Sequence, residues 1–155
     1  MSISRSYSIR SLTGKDFADW SHLWCAYLEF YETSVPENVY QTTFERLLSD
    51  DPHEFHGLVA VDENDHPVGL VHYLFHRHGW KVENVCYLQD LFTMPELRGQ
   101  GVARALIEAV YADADAKGAP NVYWLTQDFN HTARKLYDRV AELTPFIKYQ
   151  RGKPA

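Results

Sequence analysis

Cysteine is scarce. The chain has two, Cys25 and Cys86, far apart and in no CxxC pattern. A disulfide framework or a structural zinc site needs more, so both are expected as free thiols in a reducing compartment. Runs of positive charge are missing as well. Lys and Arg total 15 against 21 Asp and Glu, for a formal charge of −6. That balance argues against a nucleic-acid partner, because binding a phosphate backbone needs a basic surface. No stretch is apolar over the roughly 18 residues that a membrane helix requires. The opening MSISRSYSIR has no apolar core of a signal peptide. A cytoplasmic or nuclear protein without a membrane partner is therefore expected, and the sequon Asn130-His131-Thr132 reads as chance. HExxH, GxSxG and GxxxxGK[ST] are all absent, which removes the motifs of metallopeptidases, α/β-hydrolases and P-loop nucleotide binders.

With 45% hydrophobic residues in 155, the composition is that of a globular chain, and one domain over 1–155 is expected. YSIRSLT (7–13) alternates and reads as an edge strand. Thr13 with Asp16 three residues on marks a helix start. Phe17, Trp20, Trp24, Tyr27 and Tyr31 then recur at three- and four-residue intervals, which is one face of a helix. The end of that helix, from Tyr27 to Glu32, mixes aromatics with carboxylates and suits either core packing or a pocket wall for an amine. Pro36 suits the first turn of a second helix, which runs through Leu48. FHGLVAVD (55–62) and PVGLVHYLFHRH (67–78) form a hairpin around ENDHP. Strands are expected at 85–92, 121–127 and 145–150, with helices at 102–116 and 130–141. The resulting order is β-α-α-β-β-β-α-β-α-β. His72, His76 and His78 share one face of the third strand. At about 3.3 Å per residue, His72 and His76 lie roughly 13 Å apart, too far for one metal, so no metal is expected.

The stretch Tyr87–Ile107, YLQDLFTMPELRGQGVARALI, organises the rest. A strand passes through a loop with two glycines into a helix. The start of a helix has unpaired N–H groups and the positive end of its dipole, so it suits an anion. Gly99 and Gly101 let the backbone turn sharply and approach a ligand. The stretch reads as a cradle for a phosphate-bearing cofactor. It is not a dinucleotide fingerprint: GxGxx is followed by Arg104, and no acidic residue follows at the required distance.

Arg98, Gly101 and Ala103 instead fit RxxGxA, and on this motif the chain resembles the GNAT superfamily of acetyl-CoA-dependent N-acyltransferases. YWLTQDFNHTARKLYDRVA extends the likeness, with Asn130 and Tyr137 at the family's seven-residue spacing. The likeness covers about the whole chain and is greatest to the diamine, polyamine and yeast histone/polyamine-type subgroup. It implies an α/β fold of three layers, with a mixed, mostly antiparallel sheet whose splayed strand pair admits acetyl-CoA. By resemblance, Arg98, Gly99, Gln100, Gly101, Val102, Ala103 and Arg104 hold the pyrophosphate. The backbone of Leu91, Phe92 and Thr93 bonds the pantetheine arm, and Asn130 contacts the arm near the thioester. The N–H of Phe92 is a candidate oxyanion donor. Arg104 and Arg134 can equally lie on a solvated helix face.

The resemblance also implies the chemistry. The amine must be neutral to attack, and the leaving thiolate needs an acid. Tyr137 is the family-like acid; its other reading is packing on an amphipathic helix. Where polyamine enzymes carry Glu-Asp, this chain has Gln89-Asp90, and Gln89 cannot accept a proton. Successive strand residues point to opposite faces, so only a bulge brings both into one pocket. Gln89, Asp90 and Glu29 are the substrate-binding candidates, and Glu29, Glu32 or a water chain are candidates for the base. Cys25 and Cys86 are not expected to carry the acyl group. The expected activity is transfer of acetyl from acetyl-CoA to a small-molecule amine, a polyamine, diamine or amino acid, by a homodimer. Acetylation of a protein lysine or N-terminus, and a non-catalytic CoA-binding module, are the alternatives.

Overall fold

The computed structural model describes residues 6–154. The chain divides into two compact units, one ending at Leu125 and one beginning at Thr126.

The first unit is built on five strands: β1 (Ser8–Ser11), β2 (His56–Val61), β3 (Pro67–His76), β4 (Val85–Thr93) and β5 (Val122–Tyr123). They lie in the order β1-β2-β3-β4-β5. All neighbours are antiparallel except β4 and β5, which are parallel. Helices α1 (Phe17–Phe30), α2 (Glu37–Leu47) and α3 (Val102–Ala116) complete the unit. The sheet is mixed and mostly antiparallel, as the family resemblance implies.

Alternation along β3 sorts the layers. A Cβ on Gly69 would meet Leu106 and Val102 of α3. Leu70, the next residue, therefore points the other way. It packs with Trp20, Leu23, Trp24 and Leu28 of α1, Phe44 and Leu47 of α2, and Val59 and Phe92 of the sheet. Here α1 and α2 cover one face and α3 the other. The stripe at three- and four-residue spacing is the reason: it puts Trp20 and Trp24 on one side of α1, where they are buried.

The entry into α1 is fixed by charge. Asp16 accepts from Arg10 Nη1 at 2.8 Å and Nη2 at 3.0 Å, and from the Thr13 N–H at 2.8 Å. The Arg10 guanidinium holds this carboxyl below its ordinary range, against the opposing effect of burial. A carboxylate lowered in the fold stabilises it above its unfolded titration range, and the contribution is lost as pH falls through the folded value. Asp16→Asn is expected to cost about 2 kcal/mol at pH 7, roughly 4–8 °C in Tm. Thermal melts should show the gap to wild type closing as pH falls below about 4.

Three expectations are corrected. Pro36 is the N-cap of α2, one place before its first turn. β5 is two residues long, not seven. Residues 145–150 form no strand: Pro145 has no N–H to give a ladder, and Phe146, Ile147 and Tyr149 are exposed. The second unit contains α4 (His131–Val140). Among the described residues, no helix is long and apolar enough to cross a membrane.

Candidate active site

Two irregularities of β4 build the site. The first is a bulge. The ladder with β3 runs His72↔Asp90 and then Tyr73↔Leu88, so Gln89 is an extra residue. It is exposed. The bulge reverses which residues face each neighbour. Before it, the Cys86 N–H donates to Asn121 on the β5 side. After it, the Met94 N–H donates to Val68 on the β3 side. Antiparallel alternation then turns the backbone groups of Phe92 and Asp90 towards β3, and those of Leu91 and Thr93 towards the other edge. The Phe92 carbonyl agrees, lying 3.1 Å from where a Gly69 Cβ would be. Phe92 therefore cannot offer its N–H to an oxyanion; that expectation is corrected by the bulge.

The second irregularity is an opening. β4 and β5 share only the pairs Cys86↔Val122 and Tyr87↔Tyr123. Beyond them β4 runs on to Thr93 without a β5 partner. The edge that carries Leu91 and Thr93 is the open one. Thr93 Oγ1 is buried and has no hydrogen-bond partner among the described residues, a group left ready for a ligand.

At the end of β4, residues 95–97 make one 3-10 turn and the chain enters α3 through Arg98, Gly99, Gln100 and Gly101. Gly99 and Gly101 have φ of 81° and 82°, in the left-handed region that disfavours a side chain. A Cβ at either would meet nothing within 4 Å, so the glycines serve backbone shape and leave open space. Gly101 caps α3 with no side-chain bond. The N–H groups of the first turn, at Val102, Ala103 and Arg104, have no partner within the helix. This donor set and its dipole fit a pyrophosphate. Arg98 lies 5.6 Å from the Phe30 ring centroid. Gln100 Oε1 accepts from Tyr7 at 2.9 Å. The Arg104 side chain pairs with Glu108 at 2.9 Å, so its contribution to the cradle is its backbone.

On the α1 face of the sheet, the bulge brings Asp90 opposite His72. Asp90 Oδ1 accepts from the Tyr27 hydroxyl at 2.6 Å, and Oδ2 lies 3.1 Å from His72 Nδ1. Trp20 Nε1 donates to His72 Nε2 at 3.0 Å. Tyr27 packs between Trp24 and Tyr31, at 4.9 and 5.1 Å between centroids. Burial, with the Asp90 charge second, pushes the Tyr27, Tyr31 and Tyr87 hydroxyls above their ordinary value. They stay protonated and surround the carboxylate with phenols. Tyr87 stacks on Tyr123, whose hydroxyl meets His76 Nε2 at 2.7 Å.

Glu29 does not join this cluster. Two residues after Tyr27, it lies about 200° round the helix. It is exposed and accepts weakly from Cys25 Sγ at 3.7 Å. Cys86 is buried, and burial pushes its thiol up to about 12, which leaves no thiolate for acyl transfer. Among the described residues, no group of three or more His, Cys, Asp or Glu side chains is placed to hold a metal. His72 and Trp20 are the site residues that sequence reasoning passed over. Their signal was present, in the Trp20–Trp24–Tyr27 stripe and the strand face of His72, but the bulge that joins them to Asp90 has no sequence mark.

A separate surface groove of about 480 Å³ is lined by Asp19, His22, Asp62, Glu63 and Glu96, among others. Its four carboxylates would repel a pyrophosphate.

In the second unit, Asn130 caps α4 and lies 3.5 Å from Thr126 Oγ1. Tyr137 is seven residues on, about two turns along the same side. Arg134 Nη1 donates to the Asp128 carbonyl at 2.7 Å.

The family model described as Acetyltransferase (GNAT) family matches residues 18–141. D-amino-acid N-acetyltransferase HPA3 of Saccharomyces cerevisiae is 40% identical over 145 residues, 93% of this chain and 89% of the relative. Thialysine N-epsilon-acetyltransferase of Bos taurus is 37% identical over 70 residues, 45% of this chain and 41% of the relative. In fold, the aminoglycoside N-acetyltransferase AAC(6')-Iy in complex with CoA superposes with a TM-score of 0.81 at 20% identity, covering 99% of both chains.

Proposed function

Because this chain belongs to the GNAT acetyltransferase family, we propose that it moves the acetyl group of acetyl-CoA directly to the primary amine of a small molecule, with amino acids as the leading class. The observation that carries this reading is Asp90. The bulge sets its carboxylate among three phenols on the α1 face of the sheet, where an ammonium group would find both charge and aromatic faces. The name of the Saccharomyces cerevisiae relative, a D-amino-acid N-acetyltransferase, supports the amino-acid class. The thialysine enzymes favour a side-chain amine instead and keep diamines within the class.

Each step follows from a group of this chain. The first-turn N–H groups of α3 and the loop from Arg98 to Gly101 take the pyrophosphate. The backbone of Leu91 and Thr93 bonds the pantetheine arm as an added strand would. Acetyl-CoA, once bound, supplies the activated acyl group. Asp90 holds the ammonium, and its two oxygens already accept from Tyr27 and His72, so the proton passes to water at the exposed Gln89. The neutral nitrogen then attacks the thioester carbonyl. The Leu91 N–H, turned to the open edge, meets the developing oxygen. Asn130 contacts the arm, Tyr137 gives its proton to the leaving thiolate, and the hydrogen that the attacking nitrogen sheds on becoming an amide returns to the phenolate through water. One family model spans residues on both sides of Leu125, which supports a single catalytic domain.

The test is release of free CoA thiol over a panel of amino acids, diamines and peptides. Turnover of small amines supports the reading. Turnover of peptides alone would sink it. For the cradle, Gly101→Val is expected to weaken acetyl-CoA binding about tenfold, 1.4 kcal/mol. A branched residue at this φ must turn the peptide unit away from the anion. Calorimetric titration would read the change.

We also propose a cytoplasmic homodimer. Both cysteines are free, as in a reducing compartment. Leu143, Phe146, Ile147 and Tyr149 are more than three-quarters exposed, and a second copy of the chain would remove them from water.

A further inference from the structure

We propose that Trp20 and His72 act as a positioning pair that keeps Asp90 an uncompensated anion, so that the site selects its amine as a cation. This rests on the reading of Asp90 as the amine's anchor. The Trp20 indole can only donate. Trp20 Nε1 is 3.0 Å from His72 Nε2, so Nε2 must present a lone pair. The ring hydrogen is then on Nδ1, which donates to Asp90 Oδ2 at 3.1 Å. An imidazolium would set two N–H groups against each other. His72 is 2% exposed and Trp20 is fully buried, so water cannot relieve that contact. His72 lends Asp90 a hydrogen bond and no positive charge.

The neighbours leave this charge standing. Trp20 and Trp24 of α1 face the His72 ring at 5.9 and 5.2 Å. On β2, the residue opposite His72 is Gly57. From α2, Tyr40 touches the Trp20 ring. Around Asp90 itself stand Tyr27, Tyr31 and Tyr87, all phenols. None of these groups is a cation. Were His72 charged, it would cancel Asp90 and remove the attraction for an ammonium. The aromatic wall would remain, without the means to tell a charged amine from a neutral one.

Three variants separate this from a merely structural role. His72→Gln keeps an acceptor for Trp20 and a donor for Asp90, and cannot titrate. Its KM for the amine should stay within about threefold of wild type, about 0.65 kcal/mol. His72→Leu removes the donor, and its amine KM should rise about tenfold or more with the KM for acetyl-CoA unchanged. Trp20→Phe removes the donor that fixes the ring hydrogen on Nδ1, and its amine KM should rise about threefold or more with the KM for acetyl-CoA unchanged. An unchanged amine KM in His72→Leu would overturn the proposal. So would an amine KM in Trp20→Phe equal to that of wild type, or a Gln variant as impaired as Leu.

A second measurement needs neither a folded variant nor turnover. Long-range proton–nitrogen spectra of wild type labelled in histidine should show the His72 ring hydrogen on Nδ1 and none on Nε2. A hydrogen on Nε2 would overturn the lock. Failure of acetyl transfer itself shows separately, as no thiol release from any amine.

Discussion

Tyr137→Phe is expected to lower kcat by about 10²–10⁴ while acetyl-CoA affinity stays within a factor of about two. The expectation follows from where the barrier lies. Attack on the thioester is reversible until the thiolate departs, and departure is fast only when a proton arrives with it. A phenol is a good donor here because it holds its proton in the ground state and gives it up as charge develops on sulfur. Phenylalanine keeps the ring, so packing on α4 is preserved while the acidic hydroxyl is lost. The pattern to look for is a fall in kcat with an unchanged Kd for acetyl-CoA, both from calorimetry and from single-turnover kinetics. Restoration of rate by amines with a second acidic group nearby would strengthen the assignment. Full turnover in the variant would remove Tyr137 from the mechanism.

The second large effect is at Asp90. Asp90→Asn keeps the shape and an acceptor, and removes the charge. Its amide would also set its NH2 against one of the two present donors, the Tyr27 hydroxyl at 2.6 Å or His72 Nδ1 at 3.1 Å. Loss of a charge-assisted bond to an ammonium is worth about 2–3 kcal/mol, so kcat/KM for the amine should fall about 30- to 150-fold. Because the interaction is made with the bound amine as well as in the transition state, most of the loss should appear in KM. Acetyl-CoA binding, which depends on the other edge of β4 and on α3, should not change. A loss confined to kcat would make Asp90 a proton acceptor and contradict its reading as an anchor.

Much of this was legible in the sequence, and what was not has identifiable causes. The 3.6-residue recurrence of apolar residues located α1 and α2, because each buries one face, and two apolar runs around a polar turn located the β2–β3 hairpin. The loop from Arg98 to Arg104 was legible because left-handed backbone at Gly99 and Gly101 requires glycine. Two features were not. The bulge at Gln89 adds one residue to a strand with no change in composition, yet it decides that Asp90 faces His72 and that Leu91, not Phe92, turns its N–H to the open edge. Glu29 looked like a pocket carboxylate because it is near Tyr27 in sequence; helical rotation puts it on the opposite side. The C-terminal run FIKYQ has the composition of a strand, but a strand needs a partner, and composition does not supply one.

The most direct test of the account is a crystal structure with CoA and a small primary amine bound. The amine nitrogen should lie within hydrogen-bond distance of Asp90, and the pantetheine arm should run along the open edge of β4, bonded to Leu91 and Thr93. An amine held away from Asp90, or an arm that leaves that edge unpaired, would contradict it.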